Sequence, residues 1–136
     1  MTPAAFRRLA LSLPAACEGS HMGHADFRVG KRIFATLGHP SPGWAMVKLT
    51  PLQQSQFVAA YPAAFAPVGG AWGLRGATRV ELRAATPTAL RPALFEAWRN
   101  VAPARLASTP PGAPRHAPVR AALRWRRTAA RGRDRR

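Results

Sequence analysis

The chain has 136 residues, 21 Lys plus Arg against 5 Asp plus Glu, and a formal net charge of +16. A single cysteine, Cys17, excludes an intrachain disulfide and points by default to the cytoplasm. No stretch approaches the roughly 18 apolar residues of a membrane span, and nothing at the N-terminus reads as a secretory signal.

The pattern of the chain changes near Val101-Ala102-Pro103. Residues 1–102 hold eleven Lys plus Arg and four acids, a balance of +7, and contain every periodic apolar segment. From Pro103 onward there are ten Arg and only Asp134 as acid, a balance of +9, with five prolines and few core-forming residues. The expected organisation is one small folded domain over 1–103 and an Arg-rich tail over 104–136 of disordered composition.

Thr2-Pro3 supplies a cap and a first-turn proline. Phe6, Leu9, Ala10 and Leu13 follow at helical spacing until Pro14. Further on, Asp26–Val29 and Arg32–Leu37 alternate with period two around Gly30-Lys31, predicting a hairpin with a two-residue type II′ turn. That loop sets Phe27 against Phe34 and Arg32 on the face of Val29. A three-residue loop sets Ile33 and Ala35 beside Phe27 and Val29 instead, and the sequence leaves the register open. Trp44–Lys48 predicts another strand.

Thr50-Pro51-Leu52-Gln53 has the form of a capping box and opens a second helix, with Phe57, Val58 and Tyr61 on its apolar edge and Pro62 at its end. Trp72–Leu74 and Thr78–Leu82 predict a second hairpin through Arg75-Gly76-Ala77. Thr86-Pro87 opens a third helix, striped by Leu90, Leu94, Ala97, Trp98 and Val101. Pro92 inside it predicts a kink or a late start. This order implies an α+β fold, a two-layer sandwich in which helices cover one face of an antiparallel sheet.

Particular segments resemble the MmcQ/YjbR family: Glu18–His24, Asp26–Val29, Ile33–Leu37, Val47–Pro51, Trp72-Gly73 with Gly76-Ala77-Thr78, and Ala97–Pro103. The matches run in order over about residues 3 to 103. Gly19-Ser20-His21-Met22 has the form of an expression-tag scar, but family-like sequence flanks it on both sides and it reads as native. The resemblance implies a small domain of the secretion-chaperone-like type with a double-wing motif and the DNA-binding role named for it. It offers no catalytic residue to carry over. Pro92 and the Arg tail depart from the family pattern.

Candidate chemistry is sparse. His21, His24 and Asp26, with Cys17 upstream, are metal-ligand types, but their spacing suits neither a zinc finger nor a helical HExxH pair. Cys17 is expected to be a lone buried cysteine rather than a nucleophile. Gly69-Gly70 and Gly73 lack the GK[ST] of a phosphate loop. Trp72 and Trp98 read as core anchors rather than base-stacking platforms. No enzyme activity, metal or cofactor is expected.

The basic residues are more suggestive. Lys31 and Arg32 fall at one hairpin tip, and Arg75 and Arg79 flank the other, where cations can reach the phosphates of a duplex. In the tail, Arg124, Arg126 and Arg127 surround Trp125, a pattern suited to phosphates and exposed bases or to a membrane interface. The expected partner is DNA bound with low sequence specificity; RNA or an acidic protein are the other polyanions the charge suits. The alternative is a non-catalytic protein- or ligand-binding module using an apolar sheet face.

Overall fold

The computed structural model describes residues 1–38 and 41–107. In chain order these form α1 (Pro3–Leu11), β1 (Cys17–His21), β2 (His24–Val29), β3 (Arg32–Leu37), β4 (Trp44–Lys48), α2 (Pro51–Ala60), β5 (Phe65–Pro67), α3 (Gly70–Leu74), β6 (Ala77–Glu81), α4 (Pro87–Val101) and α5 (Ala104–Ala107). The strands make one antiparallel sheet in the order β1-β2-β3-β4-β6-β5.

Three helices start where threonine followed by proline predicts. Thr2, Thr50 and Thr86 each accept a hydrogen bond from the backbone N–H three residues on. At Thr50 the capping box is complete, because the Gln53 side chain accepts from the Thr50 N–H at 2.9 Å. The third helix, α4, runs from Pro87 despite Pro92. Pro92 and Thr88 are both exposed, so the Thr88 carbonyl that loses its helical partner has access to water.

Helices α1 and α4 pack on one face of the sheet, with α2 beside them over β5. Phe6, Phe27, Phe34, Val47, Val80, Leu90 and Leu94 form the buried layer between, centred on Trp98. The Trp98 ring lies 5.9 Å from that of Phe95, and its indole N–H donates to the Pro14 carbonyl at 2.9 Å. The largest core side chain is thus packed and hydrogen-bonded together. Gln53 joins α2 to α4 by donating to Glu96 at 2.7 Å. Beyond α4, Leu106 of α5 packs against the same core.

The first predicted hairpin is present with two differences. Gly30 and Lys31 both have positive φ, 57° and 70°, the signature of a type I′ turn rather than II′. Val29 pairs with Arg32 as a two-residue loop requires, but the register shifts between Phe27 and Arg28, and Phe27 lies opposite Ala35. The shift leaves Phe34 as an extra residue, so Phe34 and Ala35 are both buried.

The second predicted hairpin is not one. Trp72–Leu74 belong to helix α3, and the partner of β6 beyond β4 is the short strand β5. Close backbone packing is the reason. A Cβ on Gly73 would run into the Val68 carbonyl, and one on Gly76, at φ 110°, into the carbonyl of Leu49. The Gln54 amide donates to the carbonyls of Gly73 (3.1 Å) and Ala77 (2.9 Å), tying α2 to this compact turn.

Candidate functional site

The register places Lys31, Arg32 and Arg75 at one end of the sheet. Ala35 pairs with Val47 and Ala77 with Lys48, so the β2–β3 turn and the α3–β6 turn emerge at the same end, separated by β4. Lys31 and Arg32 are exposed at the first turn. Arg75 is the C-cap of α3, and its guanidinium lies 5.9 Å from the centre of the Trp72 ring. Arg79 is not at a tip. It stands within β6 on the sheet face that α1 and α4 leave bare, 5.3 Å from the centre of the Trp44 ring. Arg124, Arg126 and Arg127 lie outside the described residues.

Ion pairs among the described residues include Arg7–Glu18 at 2.9 Å and Arg28–Asp26 at 2.7 Å. The second is built into the bare face. Arg28 donates to both oxygens of the buried Asp26 carboxylate, from Nε at 2.7 Å and Nη2 at 3.0 Å. The missing side chain of Gly19 on β1 leaves room for the pair. The hydrogen bonds and charge of Arg28 hold the Asp26 carboxyl below the usual carboxylate range against the opposing effect of its burial. Asp26 is therefore committed to Arg28, while His21 and His24 face each other across the β1–β2 turn. Among the described residues, no three His, Cys, Asp or Glu side chains are grouped to hold a metal ion, and Cys17 is not buried as expected but exposed, because it opens the edge strand β1.

The sequence reading did not find a groove of about 450 Å³ on the bare face. Ile33 and Thr36 of β3, Met46 and Lys48 of β4 and Ala77 of β6 form its floor. His21, Met22 and His24 wall one side, Val68 and Trp72 the other. Trp72 is 62% exposed, so it is a surface aromatic at the groove rim and not the core anchor expected; Trp98 alone of the two is buried. A signal was present in β4. Ala45 and Val47 point into the core, while Trp44 and Met46 put large apolar side chains on the opposite face, where a solvated sheet favours polar ones.

These features define an α+β sandwich with one helix-covered face and one bare, grooved face. The family model YjbR matches residues 11–100, and the chain belongs to the YjbR family. Among solved structures, the Deinococcus radiodurans protein DR2400, which has a DUF419 domain, is similar in fold, with a TM-score of 0.61 and 21% sequence identity over 74% of this chain and 78% of that one. A search of the curated proteins found no match. No helix among the described residues is long and apolar enough to cross a membrane.

Proposed function

We propose that this YjbR-family domain binds duplex DNA with little sequence specificity, by phosphate contacts from Lys31, Arg32 and Arg75 at one end of the sheet and from Arg79 on its bare face. One observation carries the reading: these four cations are exposed, and neither the Arg7–Glu18 nor the Arg28–Asp26 ion pair uses any of them. Two of the four acids of the domain are engaged elsewhere, Asp26 with Arg28 and Glu18 with Arg7, while Glu81 lies two residues from Arg79 on the same face of β6. Arg75 and Arg79 rest on tryptophan rings, a contact that orients a guanidinium while leaving its N–H edge for phosphate oxygens. Residues 1–107 carry twelve Lys plus Arg against four acids, so the field around the domain attracts a polyanion.

The test is a titration of two unrelated duplexes with the full chain and with a chain ending at Ala107, over a series of salt concentrations. The shortened chain is first checked for a thermal midpoint close to that of the full chain. Each phosphate contact adds about −0.9 to the slope of log affinity against log salt. Alanine at Lys31, Arg32, Arg75 and Arg79 should flatten the slope and weaken both duplexes alike. Alanine at Arg8, Arg83, Arg91 and Arg99 removes the same formal charge and should leave most of the slope. Equal losses in the two quadruple variants, or no binding by the shortened chain, overturn the reading.

The groove favours a second reading, a non-catalytic ligand- or protein-binding module. Its support is the size and apolar lining of the concavity, which falls in the range of small-molecule sites. Such binding would persist at salt concentrations that abolish phosphate contacts.

A further inference from the structure

The groove contains a chemical mismatch. Its floor and walls are mostly apolar, from Ile33, Met46 and Ala77 to Met22 and Trp72, yet Lys48 stands among them half-buried. The Lys48 backbone carbonyl accepts from Asn100 at 3.0 Å, but neither the Arg7–Glu18 nor the Arg28–Asp26 ion pair uses its ammonium. Among the described residues, no carboxylate lines the groove. A partly desolvated ammonium beside apolar surface is costly unless an anion pairs with it, and exposed tryptophan and methionine at the rim are costly unless an apolar group covers them.

One class of ligand meets both demands. We propose that the groove binds an apolar monocarboxylate, its hydrocarbon body lying over Ile33, Met46 and Ala77 between Met22 and Trp72 and its carboxylate on the ammonium of Lys48. The proposal rests on the ligand-binding reading of the groove and adds the charge and class of the ligand. A carboxylate at Lys48 gains a charge-assisted hydrogen bond in a site where water screens it less than at the open surface. A cationic or zwitterionic amphiphile would set a second positive charge beside Lys48 or Arg79. A neutral one would leave the ammonium unpaired.

The test uses the full chain, with decanoate and 1-decanol as probes below their aggregation limits, followed by titration calorimetry. Decanoate should bind one to one and at least about tenfold more tightly than decanol, the increment a charge-assisted contact supplies. Lys48→Met keeps the stem and removes the charge, and should bring decanoate down to the affinity of decanol. Arg91→Met, on the far side of α4, should leave the tenfold preference intact. Trp72→Ala removes a wall from an exposed position where folding is insensitive, and should weaken both probes. Equal affinity for the two probes, with both weakened in Trp72→Ala, would overturn the carboxylate assignment while leaving an apolar binding groove. Failure of both probes to bind saturably, or a decanoate preference that survives Lys48→Met, would overturn the proposal at this groove altogether.

Discussion

The two faces of the sheet have similar strand scaffolding and opposite finishing. The helix-covered face is apolar and closed: Phe27, Phe34, Val47 and Val80 lie under Trp98, Leu90 and Leu94, and the polar indole N–H is satisfied by Pro14. The bare face is also rich in large apolar side chains, Trp44, Met46 and Ile33, but no helix among the described residues covers them. Its cations are of two kinds. Arg28 is locked to Asp26, while Lys48 and Arg79 stand outside the ion pairs. The difference teaches that one face holds the fold while the other carries large apolar side chains that the described helices leave uncovered. The same residue type therefore has different consequences on each.

Tryptophan makes the sharpest contrast. Trp98→Ala empties a fully buried site in the core and should cost about 3–5 kcal/mol, measured by denaturant unfolding. Trp72→Ala, the same truncation at a residue 62% exposed on the groove rim, should cost under about 1 kcal/mol. Comparable losses at the two positions would break the distinction between the faces.

A smaller effect separates the locked pair from the unpaired cations. Arg28 holds the Asp26 carboxyl below its ordinary range, so the folded state favours the carboxylate. The stability this supplies is present above the unfolded value near 3.9 and is lost as the pH falls through the lower folded value. The thermal midpoint of the native chain should therefore fall between about pH 5 and pH 2, and Asp26→Asn should flatten that part of the profile. An unchanged acid limb in the variant would show that other carboxylates dominate acid unfolding.

Much of the closed face was legible in the sequence, because its signals are local. Threonine before proline marks three helix starts, and the stripe ending in Trp98 and Val101 marks the helix that seals the core. The α+β class followed from the alternation of those periods. What failed depended on contacts between distant residues. Trp72–Leu74 resembled a strand because its helical turn is fixed by Gly73 against Val68 and by Gln54 from another helix. The shift at Phe34 reflects packing of two successive residues into one core, which alternation cannot anticipate. The groove draws on five strands, the β1–β2 turn, α3 and Val68 between β5 and α3, so no window of sequence contains it. The strand reading of Trp72–Leu74 supplied a second hairpin, and the compact β5–α3–β6 connection takes its place.

The most direct test of the functional division is to map where a duplex touches the domain. A ¹⁵N-labelled chain ending at Ala107, titrated with a short duplex in low salt, reports each backbone amide separately. The account predicts that the largest shifts fall at Lys31-Arg32, at Arg75–Ala77 and around Arg79, and that they disappear together as salt is raised. Shifts concentrated instead at Arg7-Arg8, Arg91 and Arg99 on the helix-covered side would contradict it.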